Sequence, residues 1–249
     1  SFVFIDDNPA EREIVKKQIP EVAVPVMDKP ENYISVLDHS GYFEVTALSK
    51  EDTEKTKLYQ AKAEAVRQVA AFADYSDYLR SLEMTVVLTD FQPMYIQRIA
   101  QLTNKSNQFN LTTKRCSEED IRHMQESDEY VCLCGRLKDK FGDNGIVSVV
   151  AGKIEDEVLA IQLWLMSCRV LKRGMEDAMM NELVRLARQR GIKTIRGYYY
   201  PTAKNGMVKD FFVNEGFTRI EDTEKQNVDE LQVDCYTERD IYMQVEDRI

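Results

Sequence analysis

The sequence predicts two kinds of fold in one chain: the end of an α/β domain, then, across a helical bridge, an α+β domain built on a mixed sheet. Three observations lead there. Residues 2–5, FVFI, form a short apolar run that ends in two aspartates and a proline, the pattern of a buried parallel strand feeding a helix. Residues 49–73 are charged, Ala-rich and helical in period. From residue 130 onward, long runs rich in Val, Ile and Leu alternate with one strongly amphipathic helical stretch.

Taken in order, Phe2–Ile5 reads as the first strand, followed by Asp6 and Asp7. PAEREIVKKQI is a helix with Pro9 in its first turn and acids close behind, both favoured there. EVAVPVM alternates Val22, Val24 and Val26 and predicts the next strand, and PENYISVLDHSGYF gives a short helix closed by Gly41. Residues 1–48 therefore read as the tail of a doubly wound domain. Ser49 is placed to cap the next helix, and DYSDYLRSLEM reads as another, so 49–103 is expected to bridge two domains.

After a helix over MYIQRIAQLT comes the polar segment NKSNQFNLTTKR. YVCLCGRLKD and GIVSVVAGKI read as strands flanking the turn FGDNG, and EVLAIQLWLMSCRV as a longer strand. GMEDAMMNELVRLARQRG is an amphipathic helix with Met179, Leu183, Leu186 and Ala187 on one face and Gly191 at its end. TIRGYYY predicts a strand, KNGMVKDFFVNEG a helix, and FTRI and IYMQVED the closing strands of a domain over 104–249.

Composition narrows the function classes. Forty-three acids against thirty-three Lys and Arg leave a net charge of -10, which argues against a nucleic-acid partner. No segment has the apolar length of a membrane span, and no basic region leads into an apolar one at the start. Five cysteines at irregular spacing point to reduced thiols and a cytoplasmic protein. Cys132 and Cys134 fall on one face of a strand, but with only His39 and His123 in the chain, zinc lacks ligands.

The stretch MSCRVLKRGMEDAM carries the sharpest chemistry. A strand ending near Cys168, a loop with Arg169 and Arg173, and Gly174 opening a helix would converge free amides, a helix dipole and two guanidinium groups on one anion. A βα turn with solvated arginines is the equal alternative. The order of strand, R-x-x-x-R-G loop, amphipathic helix, strand and N-x-x-x-x-x-F-F-x-x-x-G-F resembles the GCN5-related N-acetyltransferase (GNAT) fold. That resemblance implies a loop of form R/Q-x-x-G-x-G/A that binds the pyrophosphate and pantetheine of coenzyme A. Arg169 and Gly174 match it, with Asn205, Phe211, Phe212, Gly216 and Phe217 fitting the later helix; Lys172 replaces the first glycine, and Phe212 stands where many members have a tyrosine.

FVFIDDNPAERE resembles the last acidic motif of the haloacid dehalogenase (HAD) superfamily. With IPEVAVP, TNKSNQFNLTTKR, FGDNGIVSVV, SCRVLKRG and YYYPTAKN, the chain is similar to the FkbH-like family. The resemblance implies a HAD-like domain joined to a GNAT-like acyltransferase, in which a small phosphorylated acyl donor loses phosphate and its glyceryl group passes as a thioester to an acyl carrier protein. It further implies that Asp6 and Asp7 hold Mg2+ in the intact HAD-like domain. No D-x-D motif accompanies them, so the expectation is a C-terminal portion without phosphatase activity.

Within that frame, Arg169, Lys172, Arg173, Gly174 and Asn205 are the expected contacts for the phosphopantetheine of the carrier, or for coenzyme A. Cys168 is the expected acyl relay, or else a small core residue. Asn107, Gln108 and Asn110 are the expected substrate contacts, since clustered amides can pair with glyceryl hydroxyls, or else part of a solvated loop. Two rivals stay open: an acyl-coenzyme-A-dependent N-acyltransferase, and a GNAT-shaped docking module without chemistry.

Overall fold

The computed structural model describes residues 2–42 and 74–247. The chain divides into two compact units, Ser1–Gln60 and Ala61–Ile249. The helix expected over 49–73 lies outside the described residues.

In the first unit the two expected strands shrink to one parallel bridge, Val3 with Ala23. Phe4 N–H donates to Ala23 O at 2.9 Å and Ala23 N–H to Phe2 O at 3.1 Å. Between them runs α1 (Pro9–Gln18), whose first turn is capped by the Asn8 side chain accepting from Ala10 N–H. A helix linking two parallel segments is the expected order. The burial is not as expected: Phe2 and Ile5 are exposed, and the buried Arg12 does the packing. Its guanidinium donates to the carbonyls of Asp6, Asp7 and Met27 and pairs with Asp28 at 3.1 Å. The second helix of this unit, α2 (Tyr33–His39), follows.

Among the described residues, the second unit's first helix is α3 (Tyr75–Ser81), capped by Asp74, and its organising element is a nine-stranded mixed sheet. Its strands in chain order are β1 (Met84–Thr89), β2 (Phe109–Asn110), β3 (Tyr130–Asp139), β4 (Gly142–Glu155), β5 (Val158–Met166), β6 (Thr194–Tyr199), β7 (Thr218–Asp222), β8 (Asn227–Gln232) and β9 (Met243–Asp247). They lie side by side as β7-β8-β6-β5-β4-β3-β1-β9, with β2 added against β5. Strand β1 corrects the bridge expected over 49–103. It pairs antiparallel with β3 from Thr85 opposite Lys138 to Thr89 opposite Cys134, so the sheet begins before residue 104.

Alternation along the inner strands sends side chains to two cores. On one face Leu133, Leu137, Val147, Trp164 and Met166 pack under α6 (Met175–Gln189). On the other, Cys132, Cys134, Val149, Leu163 and Leu165 pack under α4 (Ile96–Lys105) and α5 (Glu118–Glu126). Burial pushes the Cys132 thiol up to about 12 and the Cys134 thiol up to about 11, so these are apolar packing groups rather than ligands. Gly135 sets the seat of α6, because a Cβ there would lie 2.0 Å from the Met175 methyl. Gly197 does the same for the aromatic cluster: a Cβ would meet the Phe212 ring at 2.5 Å.

Three local expectations shift. The hairpin between β3 and β4 turns at Lys140 and Phe141, and FGDNG mostly belongs to the start of β4. The helix expected over KNGMVKDFFVNEG is a 3-10 turn (Gly206–Val208) followed by the single turn α7 (Phe211–Asn214). Of the three consecutive tyrosines only Tyr199 is core; Tyr200 is exposed and stacks on Tyr198.

Candidate functional site

Strands β5 and β6 run parallel for only three pairs, from Val158 opposite Thr194 to Ala160 opposite Arg196, and then part. The asparagine segment fills the fork. Phe109 lies opposite Met166 and Asn110 opposite Leu165, Leu111 N–H donates to Trp164 O at 3.0 Å, and Tyr200 N–H donates to Leu111 O at 2.9 Å. A fork is a place where two strands leave backbone groups unpaired, and this short segment satisfies them from both sides.

Asn205 locks the arrangement. Fully buried, it donates to Asn110 O at 3.0 Å and Tyr200 O at 2.9 Å, and its Oδ1 accepts from Thr202 N–H at 2.7 Å and Thr202 Oγ1 at 2.9 Å. Its side chain is thus used by the fold, which corrects the expectation that Asn205 contacts a cofactor. Its work is to join two segments that are 95 residues apart.

Where they join there is a cavity of about 250 Å³, lined by Ser106, Asn107, Asn110, Thr113, Arg115, Thr202, Ala203 and Lys204. Two of the three expected substrate residues, Asn107 and Asn110, are among them. Gln108 is exposed and outside the lining. Asn110 Nδ2 donates to Ser106 O at 3.3 Å and its Oδ1 accepts from Thr113 N–H at 2.9 Å. Arg115 donates to Thr103 O, to Ser106 O at 3.1 Å and to Asn107 Oδ1, which fixes a positive wall.

No protein-family model matches the sequence, and no curated protein matches it. Solved structures similar to it include the ribosomal-protein-S18-alanine N-acetyltransferase from Escherichia coli, with 11% identity, 59% of this chain and 94% of that one covered, and a TM-score of 0.47. Another is the GNAT domain of S. lividans PAT, with 17% identity, 58% and 89% covered, and a TM-score of 0.46. A third is the PaiA N-acetyltransferase from Thermoplasma acidophilum, solved in complex with coenzyme A, with 13% identity, 59% and 98% covered, and a TM-score of 0.43.

The loop from Cys168 to Gly174 differs from its sequence reading. Its strand ends two residues early, at Met166, and Gly174 caps α6 with φ 80°. The amides expected to be free are not all so: Lys172 N–H donates to Glu176 Oε1 at 3.1 Å. Burial raises the Glu176 pKa, while the amides of Glu176, Lys172 and Gly174 pull it back down. Arg173 is spent as well. Its guanidinium pairs at 2.5 Å with Asp139, a carboxylate only 3% exposed. An internal carboxylate and an internal salt bridge therefore occupy the groups meant for a phosphate. As arranged, the Lys172 amide and the Arg173 guanidinium do not fit the phosphate of phosphopantetheine or coenzyme A. Arg169 donates to Ser167 Oγ at 3.2 Å.

Cys168 is exposed, so the core reading of it fails. It sits two residues past Met166, the partner of Phe109, and thus at the Asn107 end of that pairing. In the first unit, Asp6 is half-buried and its Oδ1 accepts from Asn8 N–H at 2.8 Å, while Asp7 is exposed. Among the described residues no three His, Cys, Asp or Glu side chains gather where they could hold a metal ion. Asp6 and Asp7 would supply at most two carboxylates to Mg2+, with the rest of its oxygen ligands coming from elsewhere. Among the described residues no helix is long and apolar enough to cross a membrane.

Sequence reasoning missed six lining residues, Ser106, Thr113, Arg115, Thr202, Ala203 and Lys204, and the two acids that close the loop, Asp139 and Glu176. The signal for the cavity lay in the pairing of YYYPTAKN with the asparagine segment, which only the sheet topology reveals. Glu215 is a further surprise: burial pushes its carboxyl up to about 7. It stands 3.2 Å from Arg239 Nε without hydrogen-bond alignment and does not line the cavity, so we assign it to packing.

Proposed function

We propose that the second unit is the acyl-handling module of an FkbH-like protein, passing a glyceryl or similar small acyl group from a phosphorylated donor to the thiol of an acyl carrier protein. The observation that carries this reading is the cavity of amides and hydroxyls beside the strand end that leads into the exposed Cys168. In the first half-reaction the Cys168 thiolate attacks the acyl carbon, a C–S bond forms, and the acyl–oxygen bond breaks to release inorganic phosphate. The thiol proton passes to solvent. In the second, the carrier thiolate attacks the thioester carbonyl, and Cys168 leaves as a thiolate. Asn107 and Asn110 orient the hydroxyls of the acyl group during both.

A protein carrying Cys168→Ser tests this. Loading of a radiolabelled glyceryl group onto the carrier is expected to fall at least a hundred-fold, roughly what removal of an acyl-transfer nucleophile costs. Unchanged loading would sink the relay. A second reading, a partner-docking module without chemistry, is favoured by one observation: the loop before α6 is internally satisfied and leaves no phosphate grip. Carrier binding without any loading by the intact protein would promote it. An acyl-coenzyme-A N-acyltransferase needs those same loop groups free, and acetyl-coenzyme A binding by calorimetry would favour it instead.

A further inference from the structure

We propose that Glu215, Asp177 and Arg239 form a proton-dependent latch on the chain segment that crosses from β8 to β9. With Glu215 protonated the crossover is held against α6; with Glu215 ionised it loosens. The latch does not depend on the acyl-transfer reading: Glu215 serves packing, and packing at this point depends on a proton.

The crossover has little slack. It consists of residues 233–242, and the strands it joins stand six positions apart in the sheet. Six strand spacings are roughly 29 Å. The eleven residue steps from Gln232 to Met243 reach at most about 36–40 Å when extended, and the 3-10 turn Val233–Cys235 shortens that. The path must also clear α6. Little apolar surface anchors it: Thr237, Glu238 and Asp240 are exposed, and a cavity of about 80 Å³, lined in part by Ala178, Asn181, Tyr236 and Ile241, lies between the segment and the helix. A segment with few buried side chains opens locally at low cost unless polar contacts hold it.

Three residues supply those contacts. Arg188 donates to Val233 O and Tyr236 O, both at 2.9 Å. Asn181 Oδ1 accepts from Tyr236 Oη at 2.7 Å and from Arg239 N–H at 3.0 Å, and its Nδ2 donates to Arg239 O at 2.9 Å. The Arg239 guanidinium donates to Asn214 O at the end of α7 and lies 3.4 Å from Asp177 Oδ1 and 3.2 Å from Glu215 Oε2.

Within this cluster the charge of Glu215 has the least support. Its side chain is only 7% exposed, and Oε2 is buried without a hydrogen-bond donor. The titratable groups facing it are Arg239 and Tyr236 from the crossover and Asp177 and Glu176 from α6. One guanidinium thus meets three carboxyl groups. Ionising Glu215 buries a charge with no aligned donor and sets it against two other acids. Burial therefore pushes its carboxyl up to about 7 although Arg239 pulls it down, and burial raises Asp177 as well. Opening the crossover returns Glu215 to water and toward its ordinary 4.5. The closed form is the better proton binder, so its advantage is full below pH 4.5 and is lost as the pH rises through about 7.

The latch also touches the loop before α6. A Cβ on Gly174 would lie 3.9 Å from the Met243 methyl and 4.0 Å from Asp177 Oδ2, so the first residue of β9 and a latch acid both flank that turn.

Hydrogen exchange on the full chain, corrected for the intrinsic pH dependence of amide exchange, tests the latch. From about pH 5.5 to 7.5, protection of residues 233–247 should fall roughly ten- to twenty-fold while that of β5 stays constant. Glu215→Gln, neutral at every pH, should keep the low-pH protection and flatten the slope. Protection that does not change with pH in the parent protein, or an equal slope in Glu215→Gln, would overturn the latch. Should that variant not fold, carbon-13 NMR of the parent protein reads the Glu215 carboxyl itself. A midpoint near 7, shared with the Arg239 amide, is expected. A midpoint in the ordinary carboxylate range, or an Arg239 amide that does not follow it, would overturn the proposal.

Discussion

Two polar regions flank the fork between β5 and β6, and they have opposite fates. Ser167 to Glu176 has the look of an anion grip: two arginines, a glycine with positive φ and the start of a fifteen-residue helix. Yet Asp139 takes Arg173, and Glu176 takes the Lys172 amide. Ser106 to Arg115 looks like an ordinary polar loop, and it keeps donors to spare around a cavity. The lesson is physical. A helix start converges amides whatever follows it, but only its neighbours decide whether they are free.

The largest expected effect breaks the first half of that contrast. Asp139 is only 3% exposed and accepts from Phe141 N–H at 2.9 Å, Gly142 N–H at 3.1 Å, Asn144 Nδ2 at 3.2 Å and Arg173 at 2.5 Å. Asp139→Ala strands a mostly buried guanidinium and two turn amides. Removing one partner of such a pair costs about 3–5 kcal/mol, which urea unfolding would read directly. A loss under about 1 kcal/mol would mean that Arg173 is not committed to Asp139, and the contrast between the two regions would collapse.

A middling effect sharpens it. Glu176→Ala removes the internal carboxylate, and in anion-free buffer stability should drop by about 1–2 kcal/mol, the scale of a lost helix cap. The emptied amides should then respond to added inorganic pyrophosphate: it should raise the melting temperature of the variant and not that of the parent protein. An equal response in both would show that Glu176 never closed the loop.

The same physics explains what the sequence made legible. Strand β5, helix α6 and strand β6 follow from apolar runs and a clean helical period, because each buries apolar side chains in regular order. Strand β8 hid because its buried positions include Asn227 and Asp229, the latter held by Arg219 at 2.7 Å. Hydrophobic periodicity cannot register a strand whose inner side chains are polar. Strand β1 hid among helical neighbours. At the site, Asn107 and Asn110 were legible as an amide cluster, whereas Thr202 and Lys204 arrive through a sheet contact that no local pattern encodes. Glu176 reads as a routine acid in a first helical turn, and whether its carboxylate turns back to the loop is a matter of rotamer and burial.

The smallest effect tests the loop from its backbone. Lys172 has φ 62°, a conformation that costs an L-residue about 1–2 kcal/mol and a glycine almost nothing. Its main chain is fully engaged, with N–H donating to Glu176 and its carbonyl accepting from Tyr75 Oη at 2.7 Å. Both contacts survive Lys172→Gly. Glycine's greater freedom in the unfolded chain offsets part of the relief, by about 0.4–1 kcal/mol. The net expectation is a gain near 0.5 kcal/mol, or about 1–2 °C in melting temperature for a unit of this size. A loss of stability would mean that the lysine side chain carries a contact worth more than the strain it imposes. The loop would then have a use for that charge, and its reading as a closed, self-satisfied turn would have to be given up.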